Sequence, residues 1–199
     1  MARVSKGLPV AARERAASVT TTMRRRGDEL ATGEWAVLAL VGEGDTHGFA
    51  VARALAPDGA VGRVWGMRRP LVYHTLDVLA DLELVAPAGT EPSGSGPLRT
   101  LLTVTPAGRD RLATWLERPV DHVRDARSQL MLKLLFLDRA ERDASELLAG
   151  QAQCFAAQAA ELQARLEEAE GFARTLALWR LENTRAAIRF VEAIRSASH

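Results

Sequence analysis

The sequence predicts a mainly α-helical protein: a winged helix-turn-helix domain with a short two-stranded wing, followed by an α-helical, coiled-coil-like domain. Three observations point there. Residues 68–84, RRPLVYHTLDVLADLEL, carry Val72, Leu76, Leu79 and Leu82 at spacings of four, three and three, which makes one apolar stripe on a helix. Residues 87–97, rich in Gly, Pro and Ser, separate two short β-prone segments. Beyond Pro119, apolar residues recur at alternating spacings of four and three over successive heptads.

Composition sets the outer bounds. A chain of 199 residues, 47% hydrophobic and 26% charged, has enough apolar material for real cores and is neither fibrous nor globally disordered. Its single cysteine, Cys154, has no partner for an internal disulfide. There is no secretory leader pattern and no uninterrupted apolar stretch of the roughly 18 residues that a membrane span takes. The expected location is therefore cytoplasmic, with no membrane partner. Formal net charge is +1, so a case for nucleic acid must rest on where the charges lie. Residues 1–33 carry seven basic and three acidic side chains, residues 34–118 eight and ten, and residues 119–199 eleven and twelve. Only the first segment is basic.

Residues 1–33 show little apolar periodicity and contain Arg24, Arg25 and Arg26, which reads as a flexible basic arm. Such an arm supplies phosphate attraction or is simply solvated; composition does not choose. Residues 34–118 form the predicted winged helix. From Glu34 to Gly42 the chain is apolar nearly all round, so a short helix there is buried on most of its surface. Thr46 is the expected cap of a second helix over 47–55, with Phe49, Ala52 and Leu55 inward, broken by Pro57, Asp58 and Gly59. A turn-rich link with Arg63 and Trp65 leads to the third helix. Pro70 is expected at its first position, where a missing N–H costs nothing. Tyr73, His74 and Asp77 lie opposite the apolar stripe, with Arg68 and Arg69 at the helix start. Two cations, a phenol and an imidazole on one exposed half-helix suit phosphate and groove contact, although an ordinary solvated face gives the same pattern. Leu84 and Val85 are expected to pair with residues 99–104, leaving 87–97 as a long flexible tip. Arg99 is the cation expected on the DNA backbone. Thr105 and Pro106 then open a fourth helix with Leu112, Trp115 and Leu116 inward.

These segments resemble the winged helix of PadR-family transcriptional regulators. The resemblance is carried by EWAVLALVGEGDTHGFAVARAL (34–55), RRPLVYHTLDVLADLELV (68–85) and RTLLTVTPAGRDRLATWL (99–116). Within them the Thr-His-Gly, the Val-Tyr-x-x-Leu-x-x-Leu and the Thr-Pro-Ala-Gly-Arg occur in the family's order. RSQLMLKLLF (127–136) is similar to the start of the C-terminal helical domain of one PadR subset, and only the arm lies outside the resemblance. It implies a homodimer on double-stranded DNA, mostly a repressor, relieved by small molecules, with Tyr73 against DNA. Tyr73 thus joins Arg68, Arg69 and His74 of the third helix, Arg99 of the wing and Arg63 of the link, which the residues themselves offer, as the expected DNA contacts. The chain departs from the family's pattern in its acidic balance and in Asp77, which either weakens binding or accepts from a cytosine amino group.

In residues 119–199, Leu148, Ala152, Phe155, Ala159, Leu162, Leu166 and Ala169 form one expected seam. After a break at Gly171, Leu176, Trp179, Asn183, Ala187, Phe190 and Ile194 form a second, antiparallel to it. A two-helix hairpin cannot bury both faces alone, so this region is expected to dimerise. Trp115 and Trp179 are candidates for holding a small aromatic effector, since rings at an interface stack flat ligands; both also fit ordinary packing. His47, His74, His122 and His199 lack metal-ligand spacing with Cys154, and there is no glycine-rich phosphate loop. No enzyme, cofactor or metal is expected. The alternative function is a protein-interaction module whose winged helix no longer binds DNA.

Overall fold

The computed structural model describes residues 30–93 and 96–197, without the side chains of 93–97. The basic arm, with Arg24 to Arg26, lies outside the described residues. Helix α1 (Thr32–Gly42) is the centre of the first half: its side chains from Trp35 through Val41 are all buried, as an apolar surface on every side requires. It contacts α2 (Gly48–Ala54), α3 (Arg69–Asp81), α4 (Pro106–Glu117) and strand β2 (Gly96–Val104). Trp35 stacks on Trp115 of α4 with ring centres 4.9 Å apart and planes 10° from parallel.

The start of α2 corrects two expectations. The cap is His47, not Thr46: His47 Nδ1 accepts the Ala50 N–H at 2.9 Å. Thr46 is unavailable because its extended backbone pairs with the wing, donating to Leu102 O at 3.0 Å and accepting from Leu102 N. Phe49, expected inward, is 45% exposed. In so short a helix Val51, Ala52 and Leu55 fill the core, and they centre a buried face roughly 110° of helical turn away from Phe49.

Helix α3 buries Val72, Leu76 and Leu79, with Thr75 beside them, and Pro70 sits at its second position rather than its first. It stops at Asp81, so Leu82 leaves the stripe and is exposed. The stop is a Schellman motif: Glu83 N–H bonds Ala80 O and Leu84 N–H bonds Leu79 O, both at 2.9 Å, with Glu83 at φ 57° where glycine is usual.

The wing is more regular than a flexible tip. Strands β1 (Val85–Ser93) and β2 (Gly96–Val104) pair antiparallel from Val85↔Val104 to Ser93↔Gly96. Register shifts between Pro87 and Gly89 and between Glu91 and Ser93 pass over Ala88 and Pro92. In a two-stranded ribbon both strands are edges, so a proline is tolerated at a bulge or with its nitrogen facing outward. Helix α4 starts as expected: Thr105 Oγ1 accepts the Gly108 N–H at 3.0 Å and donates to Glu83 O at 2.7 Å. Gly108 is required there, since a Cβ would stand 2.1 Å from Leu84 O.

A 3₁₀ turn (Val123–Asp125) and a π turn (Ala126–Leu130) lead into α5 (Met131–Arg139), α6 (Ser145–Glu168) and α7 (Gly171–Ala197). Polar ties hold this half together and fasten it to the first. Gln151, fully buried, accepts from Val120 N at 2.8 Å and donates to Val120 O at 3.0 Å. Buried Lys133 donates to Arg118 O and lies 5.1 Å over the Trp115 ring. Arg139 meets both Glu43 carboxylate oxygens, at 2.5 and 2.7 Å, and that hydrogen bonding holds its guanidinium above its usual range despite partial burial.

The α6–α7 hairpin corrects the second seam. On α6, Leu148 and Phe155 are buried and the other seam residues half-buried. On α7, however, the buried residues are Ala177, Leu181, Thr184 and Val191. Leu176, Trp179, Asn183 and Phe190 of the expected seam are exposed, as is Phe172. Helix α7 carries two apolar stripes at heptad spacing, and spacing alone does not say which one meets α6.

Candidate nucleic-acid interface

The expected contact residues of α3 lie on its open side. Arg68 is the cap residue, Arg69 begins the helix, and Arg69, Tyr73 and Asp77 follow at intervals of four with His74 beside them; all are exposed. Gly48 explains how Tyr73 lies against α2, because a Cβ there would be 2.8 Å from Tyr73 Cε1. The His-Gly pair thus does two jobs: His47 caps α2, and Gly48 makes room for the tyrosine ring.

Phe49 stands at the middle of this surface. The Arg69 guanidinium carbon is 5.4 Å from the Phe49 ring centre and 5.6 Å from that of Tyr73; the Arg99 guanidinium carbon, from the wing, is 5.6 Å from Phe49. The wing is fastened alongside. His47 Nδ1 accepts the Ala50 N–H, and its Nε2 lies 3.3 Å from Glu91 Oε1. Arg99 Nη1 is within hydrogen-bond distance of the same nitrogen, at 3.1 Å. Arg99 lies directly across the ladder from Glu91.

A groove of about 570 Å³ runs beside the cluster, lined by Phe49, Arg53, Met67, Arg68 and Arg69 among others. Four arginines, Arg53, Arg68, Arg69 and Arg99, are gathered around Phe49 and this groove, with Asp77 of α3 and Glu91 of the wing among the nearby acids. These arginines make the face cationic within a domain whose overall balance is acidic.

Of the residues singled out in the sequence, the structure brings Arg68, Arg69, Tyr73, His74 and Arg99 to this region. Arg63 lines a different groove of about 640 Å³, with Val64, Trp65, Arg127, Met131 and Phe190 among its walls. Trp115 is buried against Trp35, its Nε1 donating to Gln129 Oε1 at 3.5 Å, while Trp179 stands 64% exposed on α7. Neither tryptophan lines either groove. Sequence reasoning missed Phe49, Arg53, His47 and Glu91. For Phe49 and Arg53 a signal existed, since they stand four apart on the side of α2 that Val51 and Leu55 leave open. Among the described residues no three His, Cys, Asp or Glu side chains are grouped to hold a metal ion, and no helix is long and apolar enough to cross a membrane.

No family model matches the chain, and no curated protein does. Among solved structures it is similar to Bacillus subtilis PadR in complex with operator DNA, at 21% identity and a TM-score of 0.44 over 86% of this chain and 99% of that one. The same protein in complex with p-coumaric acid gives 20% and 0.39 over 84% and 98%. A PadR-like transcriptional regulator from Bacillus cereus gives 16% and 0.36 over 83% and 96%. TM-scores below 0.5 leave these as likenesses only, and the chemistry rests on the side-chain arrangement itself.

Proposed function

We propose that this chain is a PadR-like, DNA-binding transcriptional regulator of the cytoplasm: a homodimeric repressor that places α3 of each protomer in the major groove of an inverted-repeat operator. The observation that carries the reading is the meeting of Arg68, Arg69 and Tyr73 of α3 with wing residue Arg99 on one open face around Phe49. Guanidinium groups beside an aromatic platform, on a helix that buries only its other side, suit base edges and phosphates. The reading is tested by titrating full-length protein onto duplexes covering its own upstream region, with a scrambled duplex as control. Retention on heparin separates it from a module that binds only protein. Two-fold-related α3 helices should meet half-sites roughly 34–36 Å apart.

The second copy belongs on the open face of α7, where Phe172, Leu176, Trp179 and Phe190 are exposed. A small aromatic effector belongs near the same face. Trp179 is the reachable one of the two tryptophans first considered, and the groove of Arg63, Trp65, Arg127 and Phe190 combines rings with two cations, which fits a flat aromatic carboxylate. Its wall at residues 63–65 leads directly to the α3 cap. Isothermal titration with benzoate and cinnamate derivatives tests this, with Arg127→Ala expected to lose the heat of binding.

A further inference from the structure

We infer that Phe49 is a positioning residue that presents Arg69 of the recognition helix and Arg99 of the wing to DNA as one pre-set pair, an inference that rests on the DNA-binding reading. An arginine at the end of a flexible stem loses much rotamer freedom when fixed on DNA. A carboxylate partner would fix it in advance but would neutralise its charge and occupy its donors. A ring face does neither: it attracts the cation while leaving the in-plane N–H groups free for a phosphate or guanine edge.

Here both guanidinium groups lie within cation–π range of one ring, at 5.4 and 5.6 Å. The carboxylate at hand, Glu91, lies 3.3 Å from His47 Nε2, the ring nitrogen that Arg99 reaches through Nη1 at 3.1 Å. The ring's own place is fixed to both elements. Phe49 sits in the first turn of α2, two residues after His47, and that turn is tied to the wing by the Thr46–Leu102 backbone pair and by His47 to Glu91. Packing does not require a phenyl group there, since the ring is 45% exposed while Val51, Ala52 and Leu55 fill the core.

The test compares Phe49→Leu, which keeps an apolar side chain of similar reach without a π face, with Phe49→Trp, which keeps the face. In DNA-free protein, the Nε–Hε signals of Arg69 and Arg99 should show ring-current shifts and restricted motion that Phe49→Leu loses and Phe49→Trp retains. On the tightest duplex selected from a randomised library, Phe49→Leu should weaken binding roughly threefold to tenfold, the range set by one or two exposed cation–π contacts. The salt slope should stay unchanged, because both charges remain. Arg69→Ala should then do less harm in the Phe49→Leu background than in the wild type. Unaltered arginine signals in Phe49→Leu, or an Arg69→Ala effect of equal size in both backgrounds, would overturn the inference; the latter makes Phe49 an independent contact. Wild-type protein that binds neither selected nor bulk DNA would remove the DNA reading itself, while the arginine signals would still report whether the ring holds them.

Discussion

The two open surfaces of this chain are made in opposite ways. The cationic face is gathered from α2, α3 and the wing, and its central contacts join residues 52 apart in sequence, such as His47 and Arg99. The open face of α7 comes from one helix repeating Phe172, Leu176, Trp179 and Phe190. Contacts made through the first would act by charge and weaken with salt; contacts made through the second would act by apolar area and would not. A surface assembled from distant elements is vulnerable at its hub, whereas a repeated one yields only to several changes.

The largest expected effect is on the repeated face. Trp179→Asp combined with Phe190→Asp should convert a dimer to a monomer by sedimentation. It should lower operator affinity by roughly 10²-fold or more, because each module then loses the effective concentration given by its twin. Both side chains are exposed, so the thermal midpoint of dilute protein should move little. A wild-type monomer at micromolar concentration would break the comparison, leaving the apolar face for a different partner.

The next effect is internal. Gln151 is fully buried and completes both hydrogen bonds of the Val120 peptide groups, as a neighbouring strand would. Gln151→Leu keeps the volume, strands the Val120 N–H and leaves the Val120 carbonyl only the weak Cys154 Sγ donor at 3.6 Å, at a cost of roughly 1–3 kcal/mol. Urea denaturation should show it as a lower midpoint. Unchanged salt dependence of DNA binding would place this residue in the core of the second half and outside either surface.

What the sequence made legible follows a physical rule. Where a segment has one apolar stripe or one cap that meets its own neighbours, periodicity and local chemistry suffice: α1, the buried side of α3 and the Thr105 cap of α4 are where the residues put them. Where the outcome depends on a distant partner, they do not. Thr46 is a good cap until Leu102 claims its backbone. Phe49 is a good core residue until Val51 and Leu55 take the space. Helix α7 has two stripes, and only α6 chooses between them. The candidate site was legible on α3 and in Arg99, but its aromatic centre was hidden, since an exposed phenylalanine beside two arginines exists only after folding.

On the cationic face, Tyr73→Ala should reduce operator binding by about 1–3 kcal/mol, the range of one good base contact, with little change on random DNA. Arg99→Ala should weaken both kinds of DNA by similar factors and lower the salt slope by roughly 0.9, as loss of one phosphate contact does. Anisotropy titrations across a salt series give both results. If Tyr73→Ala binds its operator normally, the reading surface lies elsewhere; if Arg99→Ala leaves the slope unchanged, the wing cation touches no phosphate.

The smallest effect concerns neither surface and so calibrates both. Glu83 and Glu141 each end a helix at positive φ, 57° and 51°, and each closes a Schellman motif, the second through Glu141 N–H to Asp138 O and Arg142 N–H to Leu137 O. A side chain in the left-handed region costs about 1–2 kcal/mol. Glycine removes that cost but gives back part of it through a freer unfolded chain, roughly 0.5–1 kcal/mol. Glu83→Gly should therefore stabilise the fold by about 0.5–1 kcal/mol, which for a chain of this size is roughly 1–4 °C in thermal midpoint. The Thr105 hydroxyl bonds the Glu83 carbonyl, which the substitution leaves in place. Glu141→Gly should do the same at the end of α5, and the two gains should add if the sites are independent. Neither change should alter salt slope or oligomeric state. A loss of stability in Glu83→Gly would mean that the carboxylate itself supports the turn between α3 and the wing, and that one of the acids weighing against DNA is held there for the fold.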